Sequence, residues 1–218
     1  MNCLVIAATP LEIKSFIQHC RTTAKLDFID LELDFLITGV GMLNTTYALM
    51  KHLQVKKPQV IIDAGIAGSF SKKHPPGSVV TVKEELIADL GVHEKESYKD
   101  VFDLKLADPN QFPFTKKKLI NPYPSFLNRT QLPKVIGITV NQITTSKKKT
   151  ELYIKKYKAA IENMEGGAVH YVCLKENIPF LQIRSISNYV GDRNKKNWKL
   201  KEAVSNLNTE LIRLVESL

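Results

Sequence analysis

Leu4-Val5-Ile6-Ala7-Ala8, running straight into Thr9-Pro10-Leu11-Glu12, is the stretch from which the rest of the chain can be read. Five successive apolar residues, two of them β-branched, suit a strand covered on both faces. Thr9-Pro10 is a helix start, because threonine can cap the first turn and proline already has its φ. Apolar spacing from residue 11 to residue 20 continues that helix. A doubly buried strand followed at once by a helix opens a parallel α/β arrangement. Working outward, short apolar runs at 33–38, 60–64, 78–82, 135–140 and 180–186 predict further strands. Helical patterns fill 43–53, 166–176 and 198–218, the last with Leu200, Ala203, Val204, Leu207, Leu211, Leu214 and Val215 on one stripe. The expectation is an α/β fold with a mixed, mostly parallel central sheet flanked by helices, forming one domain over 1–218. Residues 108–133, with five prolines, are the least regular. Strand patterns resume after them, so they read as an insertion, lid or interface arm.

Composition narrows the function. The net charge of +9 comes with lysine clusters at 116–118, 147–149 and 195–196. They lie apart and lack interleaved aromatic residues, which predicts solvated surface and no nucleic-acid partner. No apolar run approaches the roughly 20 residues of a membrane span, and the start lacks the basic residues of a secretory signal. Cys3, Cys20 and Cys173 are odd in number and widely spaced, as expected of reduced thiols in the cytoplasm. His19, His52, His74, His93 and His170 are scattered, so neither a metal nor another cofactor is expected.

Ligands of open α/β sheets gather beyond the carboxyl ends of the strands. Those ends carry Glu12, Gly39-Val40-Gly41, Gly65-Ile66-Ala67-Gly68, Asn163-Met164-Glu165-Gly166-Gly167, and Arg184 to Arg193. Each has a plain structural alternative. Glu12 can favour the positive end of the first helix, the glycine pairs can be tight turns, Met164 can be core filler and Glu165 can be a cap. Arg184, inside an apolar strand, is harder to set aside. A buried charge needs a partner, and Glu12 or Glu165 would serve.

In this order, these segments resemble the nucleoside phosphorylase/nucleosidase superfamily over essentially the whole chain. The pattern is similar to the methylthioadenosine/S-adenosylhomocysteine nucleosidases, which share the early glutamate, the Gly-x-Ala-Gly turn, the Met-Glu segment and an Arg-x-Ile-Ser-Asp segment. The last reads Arg184-Ser185-Ile186-Ser187-Asn188 here, and Asn188 departs from it. The longer string from Ile186 to Arg193, then Trp198, looks like the futalosine hydrolase family. The resemblance implies hydrolysis of the N-glycosidic bond of a purine nucleoside, with futalosine giving hypoxanthine and dehypoxanthine futalosine in menaquinone biosynthesis. An adenine-type nucleosidase and a non-enzymatic nucleoside- or nucleic-acid-binding protein are the alternatives.

The same resemblance implies the roles. Glu12 is the general base for water, and Arg184 and Glu165 help to hold that water. Glu165 also accepts from ribose hydroxyls. Met164 packs on the sugar, and Ile143 packs on the face of the base, to which residues 141–144 offer main-chain groups. Gly65 and Ile66 belong to the turn beside the water. Relatives that use phosphate carry arginines about where this chain has Glu12 and Asp63, and a carboxylate in either place repels phosphate. Asn188 supplies two amide donors, which suit N7 together with a 6-oxo group. A homo-oligomer, dimer or larger, is also implied.

Overall fold

Each apolar run marks a strand, and each helical pattern a helix, in the computed structural model, which describes residues 1–23, 31–94 and 97–218. The chain runs β1 (Asn2–Ala7), α1 (Pro10–Thr23), β2 (Glu32–Ile37), α2 (Met42–Val55), β3 (Val60–Ser69), β4 (Val79–Ile87), β5 (Gly91–Glu94) and β6 (Ser97–Asp100). It continues with β7 (Leu119–Ile120), α3 (Pro124–Leu127), β8 (Lys134–Thr139), α4 (Lys147–Tyr157), β9 (Ile161–Asn163), α5 (Gly166–Lys175), β10 (Phe180–Tyr189) and α6 (Leu200–Glu216).

The central sheet is mixed and mostly parallel, in the order β10-β4-β8-β9-β3-β1-β2. β3 pairs with β10 as well as with β9 and β1, so β3, β10, β4, β8 and β9 close into a ring from which β1 and β2 extend. Alternation along β1 shows why both faces must be covered. Cys3 and Val5 pack with Ile13 and Phe16 of α1 and with Leu207 and Leu211 of α6. Leu4 and Ile6 pack with Leu49 of α2, Val169 and Val172 of α5, and Phe180.

Several expectations need correction. Gly65-Ile66-Ala67-Gly68 is not a turn but the continuation of β3, paired with β10 throughout. Strands β3, β4 and β10 outrun their apolar signals because polar residues in the extensions, such as Ser69, Glu85 and Ser187, are buried inside the fold. Residues 195–197 form a 3-10 turn, so the last helix begins at Leu200 rather than near Trp198. Helix α4 was hidden in the sequence by its lysines. Ser146 caps it by accepting from the Lys149 amide, and its buried face is Tyr153 and Tyr157. The first lysine cluster is not plain solvated surface: Lys117 pairs with Asp100 at 3.2 Å and Lys118 with Glu84 at 2.6 Å.

The proline-rich stretch is tied back to its own sheet. Leu119 is fully buried, and Asn121 donates from its amide side chain to the Phe180 carbonyl at 2.7 Å. That contact lies at the amino end of β10, opposite the end that carries Asn188.

Candidate active site

A cavity of about 320 Å³ opens where β3, β9 and β10 end and α1 begins. Its size suits a small organic ligand. Glu12, Ile66, Ile143, Met164, Glu165 and Asn188 all line it. Gly65 and Arg184 do not; they lie behind it. β9 runs antiparallel to β3, but it is only three residues long, so its Glu162 still pairs with Gly68 at the end of β3.

Glu12 sits in the first turn of α1 and is buried. Its Oε2 accepts from the Thr9 amide at 2.8 Å and the Thr9 hydroxyl at 2.9 Å, and its Oε1 accepts from the Ile66 amide at 3.1 Å. The helix-start role and a place at the cavity are therefore held by the same residue. Asn208 of α6 fixes this turn from below, donating to the Glu12 carbonyl and accepting from the Phe16 amide, both at 2.7 Å. Polar Asn208, on the otherwise apolar stripe of α6, was the sequence signal for this contact.

Arg184 finds a partner other than either glutamate expected. Its two terminal nitrogens bind Asp63 in a bidentate pair at 3.0 and 2.7 Å, with the arginine 1% exposed. Adjacent parallel strands explain this, since Arg184 lies opposite Gly65 and Asp63 opposite Gln182. Burial alone would lower the Arg184 pKa, but the carboxylates of Asp63, Glu165 and Glu12 hold it above its usual value. Gly65 has its place for the same reason. A Cβ there would come 2.9 Å from Arg184 Nη1 and 3.2 Å from Glu12 Oε1. The glycine thus lets a guanidinium and a carboxylate approach one strand from the same side.

Glu165 precedes α5, and its Oε1 accepts from the Gly41 amide at 2.9 Å. Gly39 and Gly41, at φ 86° and 90°, take a left-handed backbone that only glycine adopts readily. Burial raises the Glu165 pKa, opposed by Arg184 and the Gly41 amide. The segment is held from behind by Asn163, whose Oδ1 accepts from the amides of Glu165 at 3.0 Å and Gly166 at 2.6 Å. Asn163 donates in turn to Oε1 of the fully buried Glu85 at 3.0 Å, as does the Thr139 hydroxyl at 2.9 Å. Burial pushes the Glu85 carboxyl up to about 7 against the pull of Thr139, Arg184 and Asn163.

Asn188 owes its direction to a bulge. The β10–β3 register shifts between Ile186 and Asn188, so Ser187 is the extra residue and re-aims the strand beyond it. The Ser187 hydroxyl donates to Asn188 Oδ1 at 2.7 Å, and Asn188 Nδ2 donates to the Tyr189 carbonyl at 2.8 Å. A carbonyl can only accept, which settles the amide orientation. One N–H of Asn188 is therefore engaged within the chain, and one is left for a ligand. The two-donor expectation is reduced to a single donor.

The loop after β8 also differs from expectation. Asp89 accepts from the amides of Asn141 at 2.6 Å and Gln142 at 3.0 Å, and Glu162 accepts from that of Thr144 at 3.0 Å. Of the four amides at 141–144, only that of Ile143 has no partner among the described residues, and Ile143 lines the cavity. Glu162, buried and lining the same cavity, escaped the sequence reading although it stands two residues before Met164. Burial raises its pKa, with the hydrogen bonds of Thr144 pulling it down. On the far wall, Arg193 stacks over Trp198, which donates from its ring N–H to the Asp192 carbonyl at 2.9 Å. Among the described residues no group of three or more His, Cys, Asp or Glu could hold a metal ion.

The chain is similar to known proteins along most of its length. The family model described as the phosphorylase superfamily matches residues 3–218. The futalosine hydrolase of Thermus thermophilus is 27% identical over 191 residues, 83% of this chain and 80% of that protein. A 5'-methylthioadenosine/S-adenosylhomocysteine nucleosidase of Buchnera aphidicola is 27% identical over 169 residues, 76% of this chain and 71% of that one. The solved structure of the futalosine hydrolase of Helicobacter pylori matches with a TM-score of 0.79 at 18% identity, over 100% of this chain and 98% of that chain. At that identity the structural match speaks for the fold alone.

Proposed function

The chain belongs to the phosphorylase superfamily, and we propose that it hydrolyses the N-glycosidic bond of a purine nucleoside, futalosine, releasing hypoxanthine and dehypoxanthine futalosine for menaquinone biosynthesis. The observation that carries water rather than phosphate as nucleophile is the Asp63–Arg184 pair. Arg184, the arginine behind Glu12, is neutralised by a bidentate carboxylate, Glu12 and Glu165 line the cavity in front of it, and Arg193 stands on the far wall over Trp198. A phosphate dianion needs charge-assisted donors at that place and would meet carboxylates instead. The likeness to the futalosine hydrolase of Thermus thermophilus over most of both chains supports the choice of nucleoside.

In this reaction Glu12 takes the proton of the attacking water, whose oxygen bonds to the anomeric carbon. The C–N bond breaks with its electron pair passing to the purine. The sugar becomes oxocarbenium-like, which the carboxylates of Glu12 and Glu165 stabilise. The free N–H of Asn188 meets N7 as negative charge builds on the base. Glu165 receives the ribose hydroxyls, Met164 packs on the sugar and Ile143 on the base. Ile66 offers its amide to Glu12 rather than a hydroxyl to the water. Arg184 and Gly65 act from behind as positioning residues, Arg184 by tethering the field of Asp63, Glu12 and Glu165. The adenine-type alternative draws on an equal 27% identity to the Buchnera aphidicola nucleosidase.

The test is base release from inosine-like and adenosine-like nucleosides, followed by chromatography, in phosphate-free buffer with a chelator. We expect hypoxanthine release at full rate under those conditions. A strict phosphate requirement, or a sugar 1-phosphate product, refutes hydrolysis; preferential adenine release selects the adenine-type reading; no release from any nucleoside leaves a binding protein.

We further propose that the chain is one domain acting in the cytoplasm. Among the described residues no helix is long and apolar enough to cross a membrane, and all three cysteines are free and buried. Leu43 and Tyr47, one turn apart on α2, are 84% and 68% exposed, and Leu11 and Val40, which line the cavity, are exposed as well. A second copy covers this face in the working form. Sedimentation of the purified protein should therefore give a dimer or larger species, and a monomer at micromolar concentration would rule this out.

A further inference from the structure

Asn208 is 3% exposed on α6, whose Leu207 and Leu211 pack with Ile13 and Phe16 of α1. Its whole amide is engaged. Oδ1 accepts from the Phe16 amide at 2.7 Å, and Nδ2 donates to the Glu12 carbonyl at 2.7 Å and to the Val204 carbonyl at 2.6 Å. Phe16 and Glu12 stand four residues apart in α1, so their amide and carbonyl are the pair that a helix ordinarily bonds to each other. Here both groups carry a bond to a side chain of another helix. The turn does not need this partner to satisfy its backbone, because its own ladder could do so. A buried amide aimed at the one turn that carries Glu12 therefore points to a role in placing that turn.

The other ties of α6 lead toward Asn188. Lys199, just before the helix, donates from its amide to the Ser187 carbonyl at 2.9 Å. Asn206 donates from its side chain to the Gly77 carbonyl, and the Gly77 amide donates to the Ile186 carbonyl, both at 2.7 Å. Ser187 is the bulge residue whose hydroxyl holds Asn188. Leu200 and Val204, on the same helix, line the cavity. Helix α6 thus runs along the cavity wall, joined to the strand end that carries Asn188 and to the helix turn that carries Glu12.

We propose that Asn208 is a positioning residue that holds the Glu12 turn at a fixed separation from Asn188, with α6 as the strut between them, so that the water-activating carboxylate and the donor to the leaving base meet the same glycosidic bond. This rests on the hydrolase reading given above.

The test begins with Asn208→Leu. Leucine is close to asparagine in shape, and it frees the Phe16 amide and the Glu12 carbonyl to bond to each other, so no buried polar group is left alone. Lys199 and Asn206 still anchor α6 to the strand end. We expect kcat for the preferred nucleoside to fall about 10- to 100-fold, as for a small displacement at a reacting group, while KM and the calorimetric affinity for the free base stay within about twofold. The deciding comparison is made in the Glu12→Gln background. A residue that acts through Glu12 has nothing left to position there, so adding Asn208→Leu should lower kcat no further. Loss by the same factor in both backgrounds would mean that Asn208 serves the fold alone. That result, an unchanged kcat in the single variant, or base affinity falling in step with kcat would each overturn the proposal. Should Asn208→Leu fail to fold, Asn208→Asp is judged by the same comparisons, since it keeps an acceptor for the Phe16 amide but sets an oxygen against the Glu12 carbonyl. Absence of base release from the wild type would instead refute the hydrolase reading, and this assignment with it.

Discussion

Glu12→Gln is expected to lower kcat by about 10²–10⁴-fold, the usual contribution of a general base, with KM nearly unchanged. The substitution keeps shape and removes the group that takes the proton from water. Its structural effect is small but not nil. Oε2 accepts twice from Thr9 and Oε1 accepts from the Ile66 amide, so an amide can satisfy one side only. An oxygen turned toward Thr9 leaves the NH2 group facing the Ile66 N–H. A modest loss of thermal stability should therefore accompany the large loss of turnover. Steady-state kinetics with the preferred nucleoside, together with binding of that nucleoside to the variant, separates the two effects. Turnover within a few-fold of wild type would remove Glu12 from the chemistry.

The second large effect is expected at Asn188. Asn188→Asp should lower kcat/KM for the 6-oxo nucleoside more than for its 6-amino counterpart with the same sugar. The free N–H of Asn188 can be shared between N7 and a 6-oxo group on the same edge, whereas a 6-amino group would oppose it with another donor. Aspartate changes this in two ways. When ionised it sets a carboxylate against the Tyr189 carbonyl, now 2.8 Å from Nδ2, and against the base. When protonated it has one O–H to divide between Tyr189 and N7. It can, however, accept from a 6-amino group while donating to N7. Hydrogen-bonding sites of this kind discriminate by up to roughly 10⁴–10⁵-fold in favourable cases, so even a partial switch is measurable. Equal loss on both substrates would show that Asn188 acts on N7 alone, and a wild-type preference for the 6-amino substrate would contradict futalosine as the substrate.

The fold was legible because its strands are buried on both faces. Runs such as Leu4-Val5-Ile6 and Phe180-Leu181 admit few other readings, and Thr9-Pro10 marks the helix start locally. What escaped was short or polar. β9 is three residues long, too short for any periodicity, and α4 hides its two buried tyrosines among lysines. Glu12, Ile66, Ile143, Met164, Glu165 and Asn188, which line the cavity, were legible from their order along the chain. Their partners were not, because pairing depends on register. Nothing in the sequence says that Arg184 and Asp63 share a face, that Ser187 is a bulge, or that Asp89 and Glu162 take up the amides of the loop at 141–144. Glu162 stands beside the motif, but a single carboxylate in a short strand has no pattern to betray it.

The closed ring of strands has a kinetic consequence. β3, at residues 60–69, cannot complete its pairing until β9 and β10, at 161–163 and 180–189, have been brought to it. Contacts so distant along the chain require long loops to close before any pairing is gained, and proteins dominated by such contacts fold slowly. The step that closes the ring is also the one that brings Asn188 alongside Gly68 and Arg184 alongside Gly65. Catalytic competence therefore arrives with the last long-range pairing, and a chain that has formed only β1 to β3 with their helices holds Glu12 but has no base site to act on.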